Sequence, residues 1–169
     1  MTRHCSRVWS RHFPIILALL AFSIASTSFG QSSGIEGTYN LTQRKLPDGT
    51  IVAPPAVMGT ITFTRTQRSL NVFWKGANGK PGSYSVVATY KLTPTEYTET
   101  LWFNVFNDPD GSQGLAYDLS GETKSVAVHR DGGRIELKLP FDDVAVVFEG
   151  NKLTATVEGV FVDYWEKLR

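Results

Sequence analysis

The chain has 169 residues, with 17 Lys and Arg against 16 Asp and Glu, and 41% of it is hydrophobic. That length suits one domain with a sizeable core, and its interspersed, nearly balanced charges leave no basic face for nucleic acid. A single cysteine, Cys5, excludes an internal disulfide and any cysteine-cluster metal site.

The first element in chain order is an export signal. Arg3, Arg7 and Arg11 form a basic start, Phe13–Ile24 is a short apolar run, and Ser28 with Gly30 makes an A-x-A-like site before Gln31. The run is too short for a permanent bilayer anchor. The expectation is a signal peptide over residues 1–30 and one domain over residues 31–169. The domain would be periplasmic or secreted, with no stable membrane anchor after cleavage. Cleavage removes three Arg and no acid, leaving 14 basic against 16 acidic residues, and Cys5 leaves with the signal.

Strands follow at hairpin spacing. Ile35–Gln43 alternates, with Ile35, Gly37, Tyr39 and Leu41 on one face. Pro47-Asp48-Gly49 and Pro54-Pro55 mark a loop. Met58–Thr64 and Leu70–Lys75 read as a hairpin around Thr66–Ser69, with Ile61 and Phe63 opposite Val72 and Trp74. The longest pair is Ser83–Leu92 and Glu96–Phe106, rich in Val, Tyr, Thr, Phe and Trp. Strict alternation puts Tyr84, Val86, Ala88, Tyr90 and Leu92 on one face of its first strand. On the second, Tyr97, Glu99, Leu101, Phe103 and Val105 share the inner face, and Trp102 and Phe106 point outward. Shorter strands follow over Leu115–Leu119, Lys124–His129, Arg134–Leu139, Val144–Phe148, Lys152–Val157 and Gly159–Lys167. Asp131-Gly132-Gly133 and Glu149-Gly150-Asn151 are the tight turns among them. No amphipathic helix is visible beyond the signal. Nine or ten such strands predict an all-β antiparallel meander, folded as a sandwich or, as closure of its edges favours, an up-and-down barrel.

A family resemblance rests on short motifs spread over most of the mature chain. Ile35-Glu36-Gly37-Thr38-Tyr39-Asn40-Leu41 looks like the G-x-W opening strand of lipocalins, with Tyr39 in the Trp position. The Asp48-Gly49 loop, Gly59-Thr60-Ile61-Thr62-Phe63-Thr64, Ala88-Thr89-Tyr90-Lys91-Leu92, the turn Glu149-Gly150-Asn151-Lys152-Leu153-Thr154 and the ending Tyr164-Trp165-Glu166-Lys167-Leu168 resemble bacterial lipocalin-like domains. The resemblance implies a calycin-type barrel of about 8–10 strands that holds a small apolar molecule. It also implies a barrel-floor motif of Gly37, Tyr39 and Trp165.

The residues point to a cavity on their own account, since a barrel of about eight strands is wide enough for filling side chains or one small guest. Phe63, Trp74, Tyr84, Tyr90, Glu99, Leu101, Phe103 and Tyr117 are the candidate ligand-binding residues. Tyr and Trp offer an apolar body with a polar tip, suited to an amphipathic guest.

Chemistry-bearing clusters are scarce. The mature chain has one histidine, His129, beside a turn, and with no G-x-S-x-G elbow the residues offer no nucleophilic triad. No cofactor or metal is expected. Asp108-Pro109-Asp110-Gly111-Ser112 looks like a calcium loop, but aligning Gly111 with the loop glycine puts Phe106 and Tyr117 where acids belong. Arg65–Arg68 reads as a solvated run, and Asp142-Asp143 as solvated turn acids. Glu99, among rings, could bind a polar group or act as a general acid or base.

Three readings follow. The first is an exported binding protein that carries a small hydrophobic or amphipathic molecule. The second is an interaction or inhibitor module anchored by Trp102 and Phe106. The third is an isomerase- or cyclase-type enzyme using Glu99.

Overall fold

The computed structural model describes residues 34–76, 78–110 and 114–169. The signal expected over residues 1–30 lies outside them, as does part of the calcium-like loop. The described chain is all strand and turn. Its strands are β1 Gly37–Lys45, β2 Ile51–Val52, β3 Val57–Phe63, β4 Gln67–Lys75, β5 Pro81–Leu92, β6 Glu96–Asn107, β7 Leu115–Asp118, β8 Thr123–Ala127, β9 His129–Asp131, β10 Arg134–Leu139, β11 Val144–Glu149, β12 Lys152–Val157 and β13 Phe161–Lys167.

Every ladder is antiparallel, and the order β7-β6-β5-β4-β3-β1-β13-β12-β11-β10-β9 is a meander whose last strand returns to its first. β8 holds β6 through Glu96↔Ala127 to Thr100↔Thr123, and one residue later β9 holds β10 through Glu136↔His129 to Arg134↔Asp131. The linking Val128 donates its N–H to the Thr95 carbonyl at 2.9 Å. One bent strand therefore joins the two edges of the sheet. Taking β7, β8 and β9 as that single stave and leaving out the two-residue β2, ten staves surround the interior. This is the expected up-and-down barrel. Among the described residues no ladder joins β7 or β8 to β10, so the wall parts there.

Two irregularities decide which side chains face inward. The β3–β4 turn is shorter than expected, and the Thr64 hydroxyl accepts the Gln67 N–H at 3.0 Å to close it. Phe63 therefore pairs with Arg68 and Ile61 with Leu70, while Val72 pairs with Gly59 and Trp74 with Val57. The pairing expected from sequence, Ile61 and Phe63 against Val72 and Trp74, is corrected by this tight turn. Arg68 thereby joins a strand, on the same inward face as Leu70, Val72 and Trp74.

The second irregularity is a bulge in β6. Ala88 pairs with Leu101 but Val87 with Phe103, leaving Trp102 as the extra residue. Side-chain parity reverses there. Tyr97, Glu99 and Leu101 face inward before the bulge, and Asn104 and Phe106 after it. Phe103 and Val105 lie opposite the outward Val87 and Ser85. The sequence-based faces of Phe103 and Phe106 are thus exchanged, because strict alternation takes no account of an inserted residue.

The two ends of the barrel are filled differently. At the end holding the turns 64–66, 93–95, 132–133 and 150–151, a chain of rings crosses the interior. Tyr39 meets Phe148 edge-on at 6.0 Å, Phe148 meets Phe63 at 5.3 Å, Phe63 meets Tyr90 at 5.8 Å, and Tyr90 stacks on Tyr97 at 5.3 Å. All five are buried, with Ile35, Leu153 and Ile135 around them. This end is the floor. The opposite end is the mouth.

Candidate functional site

The mouth half encloses a cavity of about 470 Å³, within the range of small-molecule sites. Trp74, Tyr84 and Phe106 form one wall, from three adjacent strands. Phe106 packs against Trp74 at 6.0 Å and edge-on against Tyr84 at 5.9 Å. The facing wall is aliphatic, from Leu139, Val144, Val146, Leu153 and Ala155. Val160 and Phe161 stand at the rim, and Trp165 closes the bottom. Two glycines set this shape by close approach. A Cβ on Gly82 would lie 2.3 Å from the Trp74 ring, and one on Gly59 would lie 2.9 Å from the Trp165 ring. Both indoles lie against bare backbone.

A charged cluster separates the cavity from the floor. Arg68 is fully buried. Its Nη2 donates to Glu99 Oε1 at 2.6 Å, and its Nη1 to Asp142 Oδ2 at 2.6 Å. The other carboxylate oxygens accept from phenols: Tyr97 donates to Glu99 Oε2, and Tyr84 to Asp142 Oδ1 at 2.7 Å. Three staves and a turn meet here, since Arg68 comes from β4, Tyr84 from β5, Tyr97 and Glu99 from β6, and Asp142 from the β10–β11 turn. That turn folds inward and carries Asp143 at φ 56°, which delivers Asp142 to Arg68 on the far wall.

The protonation states follow from these contacts. Burial opposes the charge on Arg68, but Asp142 and Glu99 hold its guanidinium protonated well above its ordinary range. Burial and then the neighbouring carboxylate raise the phenols of Tyr97 and Tyr84, so both remain neutral donors. At the rim, Arg44 grips Asp163 with Nε and Nη2 at 2.6 and 2.8 Å, and its guanidinium lies 3.9 Å from the centre of the Phe161 ring. Burial raises the Asp163 carboxyl although Arg44 pulls it down.

Of the eight candidates named from sequence, Trp74 and Tyr84 line the cavity. Phe63, Tyr90 and Leu101 are buried beneath it in the floor half. Glu99 is buried too, held by Arg68 and Tyr97, and does not reach the cavity. Phe103 lies on the outer face beyond the bulge, and Tyr117, paired with Val105, is 62% exposed on that outer face. Phe103 was placed inward by alternation, which the bulge at Trp102 corrects, and Tyr117, a further lining candidate, faces outward with its partner Val105. Of the three residues expected in the floor motif, Tyr39 is buried, donates to the Ile35 carbonyl at 3.1 Å and pairs with Lys167, while Trp165 pairs with Leu41 and lies at the bottom of the cavity. Gly37 sits at φ 136°, where a side chain would meet Lys167.

Two further expectations are corrected. Arg68 is no solvated residue, because the short turn places it on an inward strand position. Asp142 is no solvated turn acid, because its turn folds into the barrel. Sequence reasoning also left out the far wall. Its signal was the period-two pattern Leu137, Leu139 and Val144, Val146, an alternation as clear as that of β5.

The ladder order and the two unlike ends define the class: this is an antiparallel up-and-down β-barrel, packed with rings at one end and holding a cavity at the other. A solved structure similar to the chain is a lipocalin-like protein from Bacteroides uniformis, 16% identical, matched over 80% of this chain and 99% of that one at a TM-score of 0.34. No family model matches the sequence, and no curated protein matches it.

Proposed function

We propose that the protein is an exported binding protein that holds a small, largely apolar molecule in the mouth half of its barrel. The observation that carries this reading is the difference in filling. Five rings pack the floor solid, whereas the mouth keeps about 470 Å³ walled by Trp74, Tyr84, Phe106 and aliphatic side chains. A barrel selected for stability alone gains by filling such a space, since an unfilled apolar volume forfeits contacts. The export signal read in residues 1–30 supports a periplasmic or secreted setting. The other two readings lose their supports. Glu99 is engaged on both oxygens away from the cavity, and Trp102 and Phe106 lie on opposite faces of β6.

The test is titration with N-phenyl-1-naphthylamine, a dye neutral at pH 7. Trp74 and Trp165 line the cavity, so one-to-one binding should change tryptophan emission saturably. It should also raise the melting temperature, because a ligand at 100 times its Kd adds about 2.7 kcal/mol to the folded state. An unsaturable signal with an unmoved melting temperature would overturn the reading.

A further inference from the structure

Among the described residues, two buried side-chain polar atoms have no hydrogen-bond partner, Arg68 Nε and Trp165 Nε1. Both are donors. Arg68 belongs to the charged cluster and is not part of the cavity wall, whereas Trp165 lines the cavity at its bottom. A buried donor without a partner is rare in proteins and calls for a reason.

The surroundings of Trp165 offer its indole no acceptor. Its cross-strand partners are Leu41 on β1 and Leu153 on β12. The far end of the ring, at Cη2, lies against the bare backbone of Gly59, with Val72 beside it. Asp163, two residues earlier on the same strand, spends both carboxylate oxygens on Arg44. Asp142, the other acid on the cavity wall, accepts from Arg68 on one oxygen and from Tyr84 on the other. The wall therefore has its acids engaged and one donor left over. A phenylalanine would fill the same place with no polar group to satisfy, so packing alone leaves the indole nitrogen unexplained.

We propose that the guest is an uncharged apolar molecule bearing a carbonyl oxygen, as a ketone or an ester does, and that Trp165 Nε1–H donates to that oxygen. This deepens the binding-protein reading and rests on it. One neutral N–H matches one neutral acceptor, and the apolar remainder of the guest takes the aromatic and aliphatic walls. An alcohol also accepts, but it brings a hydrogen of its own that needs a partner. A carboxylate gains a single hydrogen bond and no charge from the indole. The cluster beneath already holds two carboxylates against one cation, so an anion there is costly.

The test compares octan-2-one with 2-methyloct-1-ene, which carries a methylene group in place of the carbonyl oxygen on the same skeleton. Both are titrated against bound N-phenyl-1-naphthylamine at pH 7. Water solvates the ketone better than the alkene, so the decisive quantity is the ratio of ketone to alkene affinity in the native protein against that in Trp165→Phe. That variant keeps a ring and loses the N–H, and the ratio should fall about fivefold, the net worth of one hydrogen bond. In the native protein the infrared carbonyl band of bound octan-2-one should lie at lower wavenumber than in hexane, because a hydrogen bond weakens the C=O bond. If Trp165→Phe does not fold, this band decides alone. An unchanged ratio, a band at its hexane position, or a dye that the ketone does not displace overturns the carbonyl assignment. So does tighter binding of octanoate than of octan-2-one, which would put the head group at Arg44 on the rim. Each of these results leaves the binding-protein reading intact, since the dye still binds. Failure of the dye itself to bind overturns both.

Discussion

The floor and the mouth are built from the same ten staves, yet their interiors follow opposite rules. At the floor, aromatic side chains from β1, β3, β5, β6 and β11 meet edge-on or stacked and leave no space. At the mouth, the rings of Trp74, Tyr84 and Phe106 gather on one wall and face aliphatic side chains across an open volume. What separates the halves is polar: Arg68 between Glu99 and Asp142. A barrel whose interior is half plug and half vessel needs a rigid partition. Charge-assisted hydrogen bonds are directional, so they fix positions that apolar contacts alone leave loose. The stability of the fold should reside in the floor and the partition, and the selectivity in the mouth.

The largest test is removal of the partition's cation. Arg68→Met leaves Glu99 and Asp142 buried without compensation, a loss of about 3–5 kcal/mol. Restoring balance by adding Glu99→Gln and Asp142→Asn should recover most of that loss, since replacing all members of a buried ionic group is often nearly neutral. Urea melts of the single and triple variants measure both. A loss below about 1 kcal/mol for Arg68→Met would show that the partition is not structural.

A smaller effect comes from alkali and reads the floor. Burial, with Glu36 nearby, pushes the Tyr39 phenol from 10.0 up to about 12, and Tyr97 and Tyr84 are raised as well. Above pH 10 the unfolded chain releases these protons while the folded chain keeps them, so stability is full below pH 10 and falls as pH rises. Tyr39 alone accounts for about 2.7 kcal/mol between pH 10 and 12, at about 1.4 kcal/mol per unit. Denaturant midpoints measured across that range should fall steeply, and Tyr39→Phe should flatten the slope. An unchanged slope in Tyr39→Phe would mean that the floor phenol is open to water.

Much of this division was legible in the sequence. The alternation of Ile35–Leu41 and Tyr84–Leu92, with the glycine turns, sufficed for an all-β barrel, whereas the floor position of Tyr39 came only from the resemblance of its strand to a G-x-W opening. The partition was not legible, because two of its three charged members, Arg68 and Asp142, read as turn residues. Arg68 follows a Thr-rich turn whose length decides whether it joins a strand, and Asp142 follows Pro140 in a segment where acids are ordinarily solvated. Only the three-dimensional return of the β10–β11 turn to β4 pairs them. The error over Phe103 and Phe106 has another origin. A single extra residue reverses every later side chain, and nothing in Leu101-Trp102-Phe103 marks an insertion, since each residue is a good strand former.

That reversal yields the finest test of the two halves. Phe106 and Phe103 stand three residues apart on one strand, equally aromatic, and the bulge alone decides which of them meets the cavity. Phe106 touches Trp74 and Tyr84 on the cavity wall, while Phe103 lies opposite Val87 on the outside. Phe106→Ala removes a wall ring, so affinity for the neutral dye should change by about tenfold, equivalent to about 1.4 kcal/mol. Phe103→Ala should leave affinity within about twofold, below 0.5 kcal/mol, as befits an outer-face position away from the site. Both variants keep the floor and partition, so their urea midpoints should remain close to that of the parent protein. A larger effect from Phe103→Ala would mean that β6 runs without its bulge in solution and that unbroken alternation from Tyr97 sets its faces. Equal effects would mean that the dye binds outside the barrel, which would remove the mouth from the account of binding altogether.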